Sequence, residues 1–234
     1  MVEVRVVSYN VRSLRGDRRA VATVVRAGEP DVVALQEAPR FLRWRSRRAA
    51  LARDTGLVVV GGPRLGGVAL LGALRTRVLV TRDVLLSRTP GLHRRGVALA
   101  VLEVAGARVA IAVIHLGLDA TERRRHAVEV LAHVAHLARP YAAPIVVAGD
   151  VNEEPGEPAW AVLTARLRDA YAAAPAGPGA TFTARQPRRR IDAVFVDPRV
   201  EVAAVSVPDL PEVAVASDHR PVLAVLRLPP AAAP

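Results

Sequence analysis

Polar side chains that can bind a cation or a phosphate stand at the ends of apolar runs throughout this sequence. In the clearest case, the apolar run 145–148 leads through Gly149 into Asp150 and Asn152. A carboxylate and a carboxamide at a strand end supply an anionic ligand and a neutral donor and acceptor, which suit a hard cation and a phosphate. The same stretch also suits an Asx turn that only closes a loop. The polar residues at the other strand ends therefore distinguish a functional site from a simple turn.

Equivalent polar residues follow or open five further predicted strands. Strand ends that collect at one edge of a sheet form a crevice, and open α/β sheets usually bind ligands there. Carboxylates and carboxamides prefer Mg²⁺ or Mn²⁺ over zinc, and histidines remain for proton transfer. The set favours metal-assisted attack of water on a phosphoester. Its further members are Asn10, Glu37, His115, Asp192 and the pair Asp218 and His219.

The composition excludes several other classes of protein. The 234 residues contain no cysteine, which excludes disulfides, thiol catalysis and thiolate metal sites. The formal net charge is +11, and every cationic side chain except histidine is an arginine. Such a charge favours polyanions such as nucleic acid, phosphorylated metabolites or anionic lipid, although a compositional bias towards arginine explains it equally well.

Hydrophobic periodicity predicts strands and helices in a mixed order. Strand, helix and strand come first, hairpins follow, and a helix and strand return, which predicts an α/β sandwich with antiparallel pairing. Strands are predicted at 4–9, 31–36, 57–60, 68–71, 78–86, 97–104, 108–115, 145–148, 191–196, 200–207 and 221–226. Helices are predicted at 18–26 and 41–55, from Asp119 or Thr121 to about Ala138, and at 159–168.

The chain is expected to form one domain over residues 1–228, followed by a disordered tail over 229–234. No targeting segment is visible, and no apolar run approaches the roughly 20 residues of a membrane span. We therefore expect a cytoplasmic, monomeric protein with no obligate protein partner.

Six short segments resemble, in order, those of the endonuclease/exonuclease/phosphatase family, whose fold is that of deoxyribonuclease I. The match extends from Val4 to Leu226, and six segments in order are a specific signal. They are Ser-Tyr-Asn-Val at 8–11, Leu-Gln-Glu at 35–37, His-Leu-Gly at 115–117, Gly-Asp-Val-Asn at 149–152, Arg-Arg-Ile-Asp at 189–192 and Ser-Asp-His-Arg-Pro-Val at 217–222.

The resemblance implies a four-layer α/β/β/α sandwich of two mostly antiparallel mixed sheets, with the site at one end of the sheets. It implies a bound Mg²⁺ or Mn²⁺ with Glu37 as the principal ligand. Asn10 would lie beside it, and Asp218 would be a further ligand. Some relatives carry an acidic residue two positions after the asparagine of the first strand, whereas this chain has Arg12.

The resemblance also implies catalytic roles. Asp150 and Asn152 would position the attacking water and bind the scissile phosphate. His219, oriented by Asp192, would be the general base or a phosphate contact. His115 would be a second phosphate contact or the acid that protonates the leaving oxygen.

Two arginines next to the predicted strand ends, Arg95 and Arg190, are candidate substrate contacts. Surface loops without a role would produce the same pattern. The sequence thus predicts a Mg²⁺-dependent phosphodiesterase, with nucleic acid favoured only by the basic charge. The alternatives are a phosphomonoesterase, a lipid-headgroup phosphodiesterase and an inactive phosphate-binding module.

Overall fold

Two six-stranded sheets built from the apolar runs form the centre of the fold. The structure, a computed structural model, describes residues 1–230. The first sheet has the order β11 (Glu201–Ser206), β12 (Val222–Leu228), β1 (Val2–Asn10), β2 (Val32–Gln36), β4 (Ala69–Ala73) and β3 (Leu57–Gly61). The second has the order β5 (Thr76–Leu85), β6 (Gly96–Val104), β7 (Ala107–His115), β8 (Ile145–Asp150), β10 (Asp192–Val196) and β9 (Arg168–Asp169).

Helix ends follow local capping chemistry. The Asp17 carboxylate accepts hydrogen bonds from two N–H groups in the first turn of α1 (Arg18–Ala27). Asp119, rather than Thr121, caps α3 in the same way. Gly56 ends α2 in a left-handed conformation with φ of 74°. The helices are α1 (Arg18–Ala27), α2 (Trp44–Thr55), α3 (Ala120–Ala138), α4 (Pro158–Thr164), α5 (Ala170–Ala173) and α6 (Val213–Ala216).

The helix predicted over residues 159–168 is shorter than expected. It ends at Thr164, and the chain then forms β9, which pairs with the far end of β10. Asp169 of β9 caps α5 with its carboxylate, so this residue ends one element and begins the next. The short helix α6 is not among the predicted elements. The tail predicted over 229–234 extends beyond the described residues.

Three apolar clusters separate four layers. The largest lies between the sheets, where Val6 and Val32 of the first sheet meet Ile111 and Val146 of the second. One outer cluster packs α1 and α2 on the first sheet, and the other packs α3 and α4 on the second. The predicted α/β/β/α sandwich is therefore confirmed. Among residues 1–230, no helix has the length and hydropathy needed to cross a membrane.

Within residues 1–230, only two neighbouring strand pairs are parallel, β1 with β2 and β7 with β8, and both bring polar residues to the same end of the sandwich. In the first pair, Asn10 lies opposite Gln36. In the second, His115 lies opposite Asp150. The antiparallel strand β10 begins at this end, because Asp192 lies opposite Asp150. The register therefore gathers polar side chains from both sheets at one edge.

Candidate active site

Asp150, at the end of β8, is the centre of the polar cluster. It is almost completely buried, and its Oδ2 accepts a hydrogen bond of 2.9 Å from Asn10 Nδ2. The same oxygen lies 3.5 Å from His115 Nε2 and 3.8 Å from His219 Nε2. Its Oδ1 accepts from the Asn152 N–H at 2.9 Å. One carboxylate thus joins side chains from both sheets.

The close approach of β7 and β8 depends on Gly149. This residue has a φ of 157°, and a Cβ there would overlap the Ile114 carbonyl oxygen on the neighbouring strand. Glycine therefore allows the strand to carry Asp150 into contact with His115. Asn152 follows in a left-handed conformation with φ of 56°, and its Nδ2 donates to the Leu116 carbonyl.

His219 is held by Asp192. The His219 Nδ1 lies 2.9 Å from Asp192 Oδ2, and both side chains are buried. Asp192 is positioned by Thr181, whose hydroxyl oxygen accepts from the Asp192 N–H at 3.3 Å. The Phe182 ring packs against the imidazole with its centroid 4.9 Å away. These contacts leave the His219 Nε2 facing Asp150.

The pKa values of the two histidines are shifted in opposite directions. Burial by itself lowers the pKa of His219, but the charge and hydrogen bond of Asp192 and the charge of Asp150 raise this pKa to about 9. Burial holds the pKa of His115 well below its usual range, and the positive charge of Arg95 lowers this pKa further. Near neutral pH, His219 is therefore an imidazolium and His115 a neutral imidazole.

Burial also raises the pKa of Asp150, and the charge of Asp192 adds to this effect. The resulting pKa is about 7, although His219 and the Asn10 amide oppose the shift. In the metal-free protein, Asp150 is thus poised to exchange a proton near neutral pH, as a general base must.

These shifts predict that the free energy of unfolding of the metal-free protein falls from about pH 4 to about pH 9. The Asp150 pKa of about 7 lies above the ordinary 3.8, so ionisation disfavours the folded state as pH rises through this interval. The His219 contribution is fully present below pH 6.5 and is lost as pH rises through 9. Denaturant unfolding at a series of pH values measures the fall. In His219→Gln, the part of the fall that comes from His219 should disappear, and the part that comes from Asp150 should extend to higher pH because the charge that lowers the Asp150 pKa is lost. An unchanged profile would contradict the assignment.

Glu37 lies just beyond β2, beside this cluster. Its Oε1 is 3.5 Å from Asn10 Nδ2, and its carboxylate is only partly buried. Carboxylate and carboxamide groups of Glu37, Asn10 and Asp150 therefore meet, and this donor set fits a hard divalent cation. Atoms of Asp150, Asp192 and His219 also lie within 4.8 Å of one another. The protonated state of His219 makes that group a weaker ligand set, because a metal ligand must be neutral imidazole.

Asp218 has a different surrounding from the other acidic residues of the site. Its Oδ2 lies 3.2 Å from Arg12 Nε, and both side chains are partly exposed. The positive charge of the arginine balances the negative charge of this carboxylate. Of the three predicted metal ligands, Glu37 and Asn10 thus adjoin Asp150, whereas Asp218 is paired with an arginine.

Arg95 lies at the site, and Arg190 does not point to it. The Arg95 side chain is near Glu37, Asp150 and Glu122, whose charges oppose the lowering of its pKa by burial. Its Nε is buried and has no hydrogen-bond partner among the described residues. An anionic ligand can accept a hydrogen bond from this nitrogen.

Arg190 instead forms a two-point ion pair with Asp169, with N–O distances of 3.0 and 2.7 Å. Its guanidinium stacks on Trp160 and Tyr171, at 4.8 and 4.9 Å from the ring centroids. These contacts occupy its terminal nitrogens and its faces. This ion pair ties β9 to the segment that leads into β10, and the substrate contact expected of Arg190 stays a prediction.

A buried ion pair supports the loops that carry Asn152 and His115. Arg123 Nε lies 2.7 Å from Glu153 Oε1, and Glu153 Oε2 accepts from two N–H groups at the start of α4. Arg123 also donates to the Leu118 carbonyl, in the loop that follows His115. The pair therefore fixes both loops from behind the site.

Glu153→Ala should lower the free energy of unfolding by about 3–5 kcal/mol, because it leaves the charge of Arg123 buried without a partner. Denaturant unfolding measures the loss. Glu154→Ala is the matched control, since Glu154 forms an exposed pair with Arg189 and should change stability by less than about 1 kcal/mol. Equal effects of the two substitutions would show that the buried pair is not a structural support.

A small pocket beside Glu37 and His115 contains three residues that sequence reasoning did not assign to the site. Its volume is about 150 Å³, and its wall includes Ser13, Arg40 and His93. Arg40 follows the Glu37 strand end by three residues, which is the one signal in the sequence that points to it. His93 and Ser13 carry no local signal.

The chain is similar to one protein family along most of its length. The sequence profile described as Endonuclease/Exonuclease/phosphatase family matches residues 7–219. No curated protein is significantly similar to the chain in sequence.

Several solved structures share the fold. An endonuclease/exonuclease/phosphatase from Bacteroides vulgatus superposes with a TM-score of 0.84 and 22% identity, over 98% of this chain and 100% of that one. A mannosyl-6-phosphatase from Bacteroides thetaiotaomicron gives a TM-score of 0.84 and 19% identity, over 96% and 100%. D. rerio TDP2, complexed with a single-strand DNA product, gives 0.77 and 20%, over 97% and 100%.

The sandwich has a deoxyribonuclease I-like fold, with a polar cluster at one end of both sheets. The chain belongs to the endonuclease/exonuclease/phosphatase family, because the family profile covers most of its length. The family resemblance of the six sequence segments is confirmed.

Proposed function

We propose that this protein is a Mg²⁺- or Mn²⁺-dependent phosphodiesterase that hydrolyses its substrate by direct attack of water. The observation that carries the proposal is the convergence on Asp150 of Asn10, His115 and His219, each within 3.8 Å of the same carboxylate oxygen. These residues are far apart in the sequence and come from both sheets. Carboxylate, carboxamide and imidazole groups can together bind a divalent cation, hold a phosphate and transfer a proton, and phosphoester hydrolysis needs these three functions.

Glu37 and Asn10 would hold the cation, with Asp150 beside them. When bound, a divalent cation stabilises the negative charge that develops on the phosphoryl oxygens. The absence of cysteine from the sequence and the oxygen-rich donor set favour Mg²⁺ or Mn²⁺ over zinc. Because Arg12 already neutralises Asp218, we assign Asp218 no direct role in binding the cation.

Asp150 is the general base that we assign to the attacking water. Burial raises its pKa to about 7 in the metal-free protein, and the ionised carboxylate is the form that accepts a proton from the water. His219 is already protonated, so we assign it to the phosphate as a cationic hydrogen-bond donor from Nε2. Asp192 keeps the imidazole protonated and fixes its orientation.

His115, Asn152 and Arg95 would bind the phosphoryl oxygens from the side of the second sheet. The neutral imidazole of His115 can donate one hydrogen bond without adding charge. Asn152 uses one amide hydrogen on the Leu116 carbonyl and keeps a second for the substrate. The unpaired Nε of Arg95 supplies a charge-assisted donor.

The substrate class follows from charge more than from fold. One structural neighbour is described as a mannosyl-6-phosphatase and another as complexed with a single-strand DNA product, so the fold alone does not select the substrate. The net charge of +11 favours a polyanion, and we therefore propose nucleic acid as the preferred phosphodiester.

A substrate panel tests this proposal. DNA, RNA, bis-p-nitrophenyl phosphate, p-nitrophenyl phosphate and phosphoinositides should be incubated with the protein and Mg²⁺, with EDTA as the control. We expect cleavage of the diesters and a steep fall of nucleic-acid binding with salt. Cleavage of monoesters or phosphoinositides alone would replace the proposed substrate class, and no cleavage of any substrate would favour a phosphate-binding module.

A further inference from the structure

The pocket beside the active site has arginine, histidine and serine side chains in its wall, and these side chains can bind an anion. Its wall shares Glu37 and His115 with the site, and Ser13, Arg40, Gly67 and His93 complete it. Arg40 and His93 can both be cationic, and both act on His115 to lower its pKa, as Arg95 does. The acidic group in the wall, Glu37, is the proposed ligand of the cation. Once it binds that cation, the pocket has a positive balance of charge.

Arg40 is held in place by its neighbours. Its carbonyl oxygen accepts from Arg64 Nε at 2.9 Å. The preceding carbonyl, of Pro39, accepts from Arg48 Nε at 2.9 Å, and Arg48 also donates to the Gly62 carbonyl. The backbone of Arg40 is thereby tied to the loop between β3 and β4. Such anchoring reduces the conformational freedom that the arginine would lose when it binds a ligand.

The aliphatic stem of Arg40 passes close to Gly67, which has a φ of 67°. A Cβ at Gly67 would lie 3.8 Å from the Arg40 Cδ, so the stem runs along this residue at van der Waals distance. The guanidinium carbon lies 5.2 Å from the centroid of the Phe41 ring, and Arg40 lines the pocket together with Ser13 and His93. Guanidinium, imidazole and hydroxyl groups are the donors that commonly bind phosphate.

The size of the pocket limits what it can hold. Its volume of about 150 Å³ is well below the roughly 300–1,000 Å³ of pockets that enclose a drug-sized ligand. A phosphate group with a few water molecules fits, whereas a whole nucleotide does not. The pocket therefore suits a group at the end of a substrate better than a chain that continues through it.

We propose that the pocket formed by Ser13, Arg40 and His93 binds a second, terminal phosphate of the substrate, next to the phosphate that is cleaved. This inference rests on the proposed function and narrows it. The preferred substrates are phosphodiesters that carry a phosphomonoester at the neighbouring position, as the end of a phosphorylated nucleic-acid strand does. Arg40 is the residue that distinguishes them from diesters without the second phosphate.

Two chromogenic diesters that differ only in the second phosphate provide the test. Thymidine 5′-(p-nitrophenyl phosphate) lacks it, and the 3′-phosphorylated form of the same compound carries it. With Mg²⁺, wild type should have a KM at least about tenfold lower for the 3′-phosphorylated form, as a charge-assisted hydrogen bond of about 1.5–3 kcal/mol implies. Arg40→Ala should remove this difference in KM between the two compounds. Arg45→Ala, an exposed arginine of α2, is the matched control for net charge and should behave as wild type.

Binding measurements keep the inference separate from the proposed function. Calorimetry with Mg²⁺ present should find thymidine 3′,5′-bisphosphate bound more tightly than thymidine 5′-monophosphate by wild type, and equally by Arg40→Ala. Failure of wild type to cleave either diester would defeat the proposed function, whereas the two nucleotides would still test the pocket. Equal affinity of wild type for both nucleotides, or an unchanged preference in Arg40→Ala, would overturn the inference.

Discussion

His219→Ala should lower kcat/KM for a diester by about 10²–10⁴-fold and leave the protein folded. The substitution removes the imidazolium that faces Asp150 and the phosphoryl oxygens, and with it the donor that is stabilised by Asp192. Steady-state hydrolysis of bis-p-nitrophenyl phosphate measures the loss, and circular dichroism verifies the fold. His136→Ala, an exposed histidine on α3, is the matched control and should retain full activity.

Asp192→Asn tests the same pair from its other side. The amide keeps the shape of the carboxylate but removes the charge that raises the pKa of His219. Without this charge, the pKa of His219 should fall from about 9, because burial lowers it and only the charges of Asp150 and Asp218 still raise it. Imidazole NMR signals of the metal-free protein follow this titration directly. If the pKa of His219 stays near 9 in the variant, Asp192 does not determine its charge.

Glu37→Gln should have the second large effect. We expect kcat to fall by about 10³-fold, because several kcal/mol of transition-state stabilisation depend on the cation that Glu37 is proposed to hold. The amide preserves the volume, and Glu37 is only partly buried, so the free energy of unfolding should change little. Turnover at increasing Mg²⁺ measures the weaker binding of the cation. Glu29→Gln is the matched control, since its side chain is 79% exposed.

An activity of Glu37→Gln close to that of wild type, at the same Mg²⁺ concentration, would remove Glu37 from the site. The proposed ligand set would then shift to the group formed by Asp150, Asp192 and His219. That result would also require a lower pKa of His219 in the presence of the cation, which the NMR titration can detect.

The fold and most of the site could be predicted from the sequence, because strand ends are local features. The apolar run before Asp150 predicts a buried strand, and the polar pair that follows predicts its exposed end. Parallel pairing of β7 with β8 then brings His115 opposite Asp150. The convergence of Asn10 and Asp150 across the two sheets was implied by the family resemblance, since no local pattern reports a contact between residues 140 positions apart.

The roles of the arginines could not be predicted in the same way. Arg95 and Arg190 both stand beside strand ends, and the sequence does not reveal the direction of either side chain. Arg190 turns to Asp169 only because the two-residue strand β9 pairs with β10, and a strand of this length has no sequence signature. Arg12 likewise meets Asp218 across 206 positions of sequence. Such pairs depend on tertiary packing and become visible only in the folded chain.

Anomalous diffraction from crystals soaked with Mn²⁺ tests most directly whether these distant residues surround one divalent cation. We predict a single strong peak within about 2.5 Å of the Glu37 carboxylate and close to Asn10, and its loss in Glu37→Gln. No peak at Glu37, together with hydrolysis that persists undiminished in EDTA, would contradict the account.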